Sequence, residues 1–282
     1  MILKTFQNNR VDELFKRSLN LLKNSENKII TFQSPTGSGK TIMMAEYCLR
    51  LSDYLKHKYN ICFIWIAPHE LHRQSKKKLE NYYKNSRILK CSFFEDLSKN
   101  EIRNNEILFL NWESINKKDN KIFADGDEKY NLKEVLKNTS KKNRKVILII
   151  DESHHTSTSI ISKNLINLFN SQLSIEVSAT PKVSNRDDMV KVSTEEVMES
   201  CLIKKTIIIN EKFKNILNGD KIISDLKKGS DNFVLDHALQ KRITIFEEYK
   251  KNKSEVNPLL LIQLPNERKG NEKNQITKIE KY

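Results

Sequence analysis

Long apolar runs are missing from this chain. No stretch approaches the roughly 20 apolar residues that cross a bilayer as a helix, so no membrane span is expected. The first residues, Met1 to Arg10, have no apolar core of the secretory-signal kind, which predicts a cytoplasmic protein. Cysteine is sparse and scattered. Cys48, Cys62, Cys91 and Cys201 show no paired spacing, which argues against a zinc site or a disulfide framework and for reduced, partly buried thiols. Acid is in deficit: 50 Lys and Arg stand against 36 Asp and Glu, a net charge of +14. Such an excess suits a polyanion partner, meaning nucleic acid. It also follows from AT-rich coding, since Lys, Asn and Ile are abundant together. What the chain does have is length and core: 282 residues with 38% hydrophobic content are enough for one large domain or two small ones.

One stretch organises the rest. Ser34-Pro35-Thr36-Gly37-Ser38-Gly39-Lys40-Thr41 follows a short apolar run, Lys28 to Gln33, and precedes a helical pattern from Ile42. Strand, glycine loop and helix in that order are what a phosphate-binding loop requires. Gly37 and Gly39 let successive N–H groups curl around an anion, and the helix start adds its positive dipole end. Lys40 is placed for the β- and γ-phosphates and the Thr41 hydroxyl for Mg²⁺. Ser34 stands where the general pattern has its first Gly, so the turn there must accept a side chain. The competing reading is a glycine-rich turn before an ordinary helix.

Along the chain, Val11, Leu14, Phe15, Leu19 and Leu22 predict an amphipathic helix over 9–23. Gln7 just before it is a candidate for reading an adenine edge, with Phe6 stacking; an ordinary surface Gln is the alternative. Apolar runs at 61–67, 107–110, 146–150 and 174–177 predict strands buried on both faces. Helices are predicted at 42–57, 69–85, 131–138 and 159–170 between them. This alternation predicts an α/β doubly wound, mainly parallel sheet. Ligands gather at the carboxyl ends of such strands, where the glycine loop, Asp151-Glu152 and Ser178-Ala179-Thr180 all fall. After residue 209 the texture turns polar and charged. Leu235, Leu239, Ile243, Phe246 and Tyr249 form one helical stripe, and Pro258 to Gln263 reads as a fresh strand. The expected organisation is therefore a domain over 1–209, a charged helical linker over 210–256, and the start of an incomplete second domain over 257–282.

Triphosphate hydrolysis needs a phosphate cradle, a metal anchor and a group that orients water. Asp151, ending a buried strand, is the metal-side carboxylate with Thr41, and Glu152 is the candidate that polarises the attacking water. A solvated acidic strand end is the plain alternative. Adjacent His154 and His155 point apart on a loop, so a shared metal is not expected. His154 is expected to couple the nucleotide site to Ser178 and Thr180 by hydrogen bonds; His155 is assigned no chemistry.

Together Gly37-Ser38-Gly39-Lys40-Thr41, Asp151-Glu152-Ser153-His154 and Ser178-Ala179-Thr180 resemble a superfamily 2 helicase or translocase of the DExH type, a P-loop NTPase with a RecA-like fold. Gln7 sits where that family often places its adenine-reading Gln. Asn111-Trp112-Glu113-Ser114-Ile115, Asp151 to His155, Leu202-Ile203-Lys204-Lys205 and Leu261 to Asn266 look most like the restriction (Res) subunit of type III restriction-modification systems. The resemblance implies ATP and Mg²⁺ as cofactors and duplex DNA as the track, gripped near Pro68, His69, Gln74 and Asn111. It implies a modification (methyltransferase) subunit or a second motor half as partner, and a nuclease domain that these residues do not contain. Arginine fingers come from the second RecA-like domain in this family, so slow turnover is expected of this chain alone. Alternatives are another superfamily 2 helicase acting on DNA or RNA, or a nucleotide-binding module without turnover.

Overall fold

Buried apolar runs, with two short polar segments at their flanks, make one seven-stranded sheet. In a computed structural model, residues 2–24, 27–86, 88–115, 131–155, 167–181, 186–204, 217–218, 221–222 and 230–262 are described. The chain divides into two units, Met1–Ile207 and Ile208–Tyr282. In the first unit the strands are β1 (Lys28–Gln33), β2 (Asn60–Ala67), β3 (Lys90–Ser92), β4 (Glu106–Asn111), β5 (Arg144–Asp151), β6 (Leu173–Ser178) and β7 (Asp188–Lys191). Their order is β3-β4-β2-β5-β6-β1-β7, and every pairing is parallel. All carboxyl ends therefore share one edge.

Alternation along the central strands sorts side chains to two cores. Ile61, Phe63, Trp65 and Ala67 of β2 join one core, while Cys62, Ile64 and Ile66 join the other. The first core is covered by α1 (Thr5–Asn24), α2 (Lys40–Leu55) and α3 (Leu71–Tyr83). The second is covered by α4 (Trp112–Ile115) and α5 (Leu132–Lys141). Helices on both faces of a parallel sheet make this the doubly wound, RecA-like P-loop architecture. A further helix, α6 (Thr194–Glu199), starts from a capping box in which Ser193 accepts from the Glu196 N–H and the Glu196 carboxylate accepts from the Ser193 N–H. Arg50 on α2 bonds Asp12 and Asn8 of α1 as well as Glu46, fixing the first helix against the second. All four cysteines are unpaired, and burial pushes the Cys62 thiol up to about 12.

Several expectations shift. α1 begins at Thr5, so Phe6 and Gln7 lie in the helix rather than before it. Phe6 is buried in the first core, which removes it as a stacking surface for a base. The helix expected at 159–170 lies mostly outside the described residues; 167–168 are helical. In the second unit α7 (Ser230–Lys251) carries the expected stripe, with Leu239, Ile243 and Tyr249 exposed. A two-residue hairpin, β8 (Leu217–Asn218) with β9 (Lys221–Ile222), precedes it. The strand expected at 258–263 does not form over 258–262, and Gln263 lies outside the described residues. Instead Arg242 donates to the Pro258 carbonyl and the Asn257 side chain, each at 2.9 Å, holding this segment along the helix. An apolar run becomes a strand only beside a neighbour that takes its hydrogen bonds, and no described segment pairs with it.

Candidate active site

The phosphate loop hangs between the end of β1 and the start of α2. Gly39 is the residue before α2, with φ 88°, and no side chain caps the helix there. The first N–H groups of α2 therefore remain directed at the loop cavity, a ready anion site. Gly37 has φ 84°, and a Cβ on it would lie 2.9 Å from Ile203 Cγ2; a Cβ on Gly39 would lie 2.5 Å from Gln7 Nε2. Both positions need glycine for conformation and for space. Ser34 does not, since its φ is not positive. It is buried, and its hydroxyl shares a 2.5 Å hydrogen bond with that of Ser38. The departure from the usual glycine thus adds a brace across the loop. Thr36 is exposed at its tip.

Gln7 braces the loop from the other side. Its Nε2 donates to the Ser38 carbonyl at 2.8 Å and its Oε1 accepts from the Lys4 N–H at 2.9 Å. A carboxamide has a second N–H and a second lone pair, so the group stays chemically able to meet a base edge.

Lys40, Thr41, Asp151 and Glu152 share one cleft of about 320 Å³ with the two loop glycines. The Lys40 ammonium lies 3.5 Å from Glu152 Oε1. Glu152 takes φ 51°, a left-handed conformation that costs a side-chain-bearing residue about 1–2 kcal/mol. That turn lets its N–H donate to Asp151 Oδ1 at 3.1 Å and swings its carboxylate toward Lys40. Asp151 is buried. Burial first, and the neighbouring Glu152 charge second, push its carboxyl up to about 6, while Lys40 and Lys78 oppose the rise. A buried carboxylate held this high is short of positive charge. Hard oxygens from Thr41 and Asp151 suit Mg²⁺, which usually takes one or two protein oxygens and completes its shell with phosphate and water. No group of three or more His, Cys, Asp or Glu suited to a metal occurs among the described residues.

His154 Nδ1 lies 3.0 Å from Ser178 Oγ and 3.4 Å from Glu152 Oε2. Ser178 Oγ also accepts from the Thr180 N–H at 3.1 Å, and the Ser178 carbonyl accepts from Ser34 N at 3.0 Å. A line of contacts thus runs from Glu152 to His154, and from His154 by hydrogen bonds through Ser178 to Thr180 and the base of the phosphate loop.

The residues assigned to nucleic acid separate. Gln74 lines the Lys40 cleft with Ser75 and Lys78 of α3, on the nucleotide side. Pro68 is buried. His69, at φ 51°, donates its N–H to Glu113 at 2.8 Å, and its ring lies 3.2 Å from the same carboxylate. Asn111 caps the next turn, its side chain accepting from Glu113 N at 3.0 Å. These residues tie the loops after β2 and β4 together. In the sequence Lys78 belongs to a basic face of the helix after β2, and Ile203 to the Leu202-Ile203-Lys204-Lys205 stretch; neither pattern indicated a place beside the phosphate loop, where the structure puts both.

Among solved structures, the chain is similar to a nuclease-deletion mutant of the Type ISP restriction-modification enzyme LlaGI in complex with a DNA substrate mimic, at 13% identity and a TM-score of 0.45, over 72% of this chain and 21% of that one. It is similar to the Sulfolobus solfataricus SWI2/SNF2 ATPase core in complex with dsDNA, at 16% identity and a TM-score of 0.41, over 64% of this chain and 32% of that one. It is also similar to the UvsW helicase of bacteriophage T4, at 15% identity and a TM-score of 0.41, over 68% of this chain and 61% of that one. The chain thus spans less than two thirds of the length of each of these proteins. No curated protein matches the sequence. No helix among the described residues is long and apolar enough to cross a membrane. A family model matches residues 2–183, from the helix that carries Gln7 through the Ser178-Ala179-Thr180 segment, and by that match the chain belongs to the family of type III restriction enzyme res subunits.

Proposed function

We propose that this chain is the ATP-binding and ATP-hydrolysing motor domain of a DNA translocase, working as the restriction subunit of a type III restriction-modification system. One observation carries the reading: the glycine loop, Lys40, Thr41, Asp151 and Glu152, far apart in sequence, line a single cleft at the carboxyl edge of the sheet. Loop N–H groups and the start of α2 hold the phosphates, and the spare N–H and lone pair of Gln7 read adenine. Thr41 and Asp151 would hold Mg²⁺, which would supply charge neutralisation at the phosphates. Lys40 exchanges its Glu152 partner, now at 3.5 Å, for phosphate oxygens. Glu152, released from the ammonium, orients the attacking water and takes its proton. The path from Glu152 through His154 to Ser178 and Thr180 reports the state of the cleft to the rest of the domain.

Duplex DNA is the proposed track and a methyltransferase subunit the proposed partner. Turnover by this chain alone is slow, because the described lining of the cleft has Lys40 and Lys78 as cations and no arginine. An arginine finger supplies about 10³- to 10⁵-fold in related motors. The test is nucleotide binding and steady-state ATP turnover, with and without duplex DNA, for wild type and Lys40→Ala. Wild type is expected to bind ATP with Mg²⁺ and turn over slowly, and Lys40→Ala to lose both. Equal binding by the two proteins would remove the cleft from the reading.

A further inference from the structure

We propose that the amino edge of the sheet carries a separate surface for the phosphodiester backbone of nucleic acid, at the opposite pole from the ATP cleft. Arg144 opens β5 and Asp151 ends it. At about 3.3 Å per residue these two positions stand some 23 Å apart, so the surface is distinct from the nucleotide site.

A cavity of about 410 Å³ lies at this edge, and among the described residues its charged lining is Lys133, Lys137, Arg144 and Lys145, with no carboxylate. Asn143, Asn170 and Gln172 add amide groups to the same walls. The helix supplying two of these cations is built to present them. α5 buries Leu132, Val135 and Thr139, which leaves Lys133, Lys137 and Lys141 exposed at one-turn spacing on its outer face. Among the described residues none of these three lysines has a carboxylate partner within ion-pair distance. Two carboxylates lie close by. Glu101 is already engaged by Arg144 at 3.2 Å, and Arg144, with Lys142 and Lys99, holds its carboxyl below the usual range. Glu134 lines a shallower neighbouring hollow between Lys133, Lys137 and Lys141. Lys145 lies over the ring of Tyr59 at 4.1 Å, and Tyr59 is itself 43% exposed.

The pattern fits a linear polyanion better than a single phosphate. Lys133 to Lys141 covers about 12 Å of helix axis, the axial span of roughly three to four phosphates on one strand of a duplex. Lysines, side-chain amides and a tyrosine are the groups that take phosphate and sugar contacts, which position a duplex without reading its sequence.

The test uses the full chain without nucleotide and measures affinity for a short duplex of arbitrary sequence across a salt series. The triple variant Lys133→Gln, Lys137→Gln, Lys141→Gln is expected to bind at least tenfold more weakly at low salt. Its dependence of log affinity on log salt is expected to be shallower by about 2 to 3 units, about 0.9 for each lost phosphate contact. The matching triple Lys→Arg variant should keep both affinity and slope. Binding of ATP at the other pole should be equal in all three proteins, which separates a lost surface from a lost fold. An unchanged slope in the Gln variant would overturn the proposal, as would failure of the Arg variant to restore binding. Poly-glutamate bound with the same lysine dependence while duplex DNA is not bound would make this a protein-docking surface and overturn it equally. Absence of ATP binding in wild type would count against the motor reading and leave this one standing.

Discussion

The two edges of the same sheet solve opposite electrostatic problems. In the cleft at the carboxyl edge, Lys40 and Asp151 are buried, Lys40 faces Glu152 at 3.5 Å, and His154 bridges Glu152 and Ser178. At the amino edge the charges are mostly of one sign, and many are in water. Lys133, Lys137, Lys141 and Lys142 are exposed, and Arg144 takes the one acid it reaches, Glu101. A buried charge needs a partner placed by the fold, since desolvation costs several kcal/mol per ion. A hydrated lysine needs none. The first edge can therefore do chemistry at one point, and the second can hold a long charged polymer.

Substitutions at each edge should show this difference in size. The largest effect belongs to Glu152→Gln, which keeps shape and removes the proposed base. Turnover should fall by about 10² to 10⁴ while ATP binding stays within a few-fold, read by single-turnover hydrolysis beside equilibrium binding. Unchanged hydrolysis would show that another group orients water.

Asp151→Asn comes next and should split stability from function. The folded pKa of Asp151 is raised from 3.8 to about 6 by burial and by Glu152. The folded protein therefore holds that proton to higher pH than the unfolded chain. Stability from this group is present below about pH 4 and is lost as pH rises toward 6. The nucleotide-free variant should be more stable than wild type at pH 7 by on the order of 3 kcal/mol, and should lack the decline in melting temperature between those pH values. With ATP and Mg²⁺ added the order should reverse, because only wild type keeps the carboxylate that uses the metal. Equal melting curves at all pH values would show that Asp151 is better solvated than its position indicates.

Gly39→Ala should cost about 1–3 kcal/mol of stability, from a left-handed φ and a Cβ placed 2.5 Å from Gln7 Nε2. It should also weaken ATP binding, since the Gln7 bond to the Ser38 carbonyl must move. The pair Gly39→Ala with Gln7→Ala should recover part of that stability, checked by thermal melting of the single and double variants.

The smallest effect is expected at the amino edge. Glu101→Gln removes the charge from one largely buried ion pair with Arg144 but leaves an amide oxygen to accept from the guanidinium, a cost of about 1 kcal/mol. It should tighten duplex binding modestly by leaving the guanidinium charge unneutralised, measured in the same salt series. A loss of several kcal/mol would mean that this edge is as tightly coupled as the other.

Legibility followed burial. While β6 alternates as Leu173-Ser174-Ile175-Glu176-Val177-Ser178, the central strands β2, β4 and β5 carry continuous apolar runs because helices cover both faces, so they were visible in the residues themselves. The two edge strands were not. β3 is Lys90-Cys91-Ser92 and β7 is Asp188-Met189-Val190-Lys191, short and half polar because each has a neighbour on one side only. At 258–262 the apolar run is real but, among the described residues, has no strand to pair with. Within the cleft, Lys40, Thr41, Asp151 and Glu152 were legible because their chemistry requires those types beside those elements. Gln74 and Lys78 line one cleft with Lys40 and Asp151, a meeting that the sequence did not display. Which face of a helix meets which neighbour is set by packing, and one-turn spacing of polar residues does not reveal it.

By itself the order of residues determined a parallel α/β sheet with a phosphate loop and an acidic pair at strand ends, because buried strands must be apolar and phosphate cradles must be glycine-rich. Only the tertiary structure decided that Ser34 and Ser38 brace that loop, that Phe6 is core, that Gln7 holds the Ser38 carbonyl, and that lysines of α5 gather with Arg144 and Lys145 at the far edge. Each of those is a meeting between segments distant in the chain, fixed by the crossing of parallel strands and the seating of helices on them, and no local pattern encodes such a meeting.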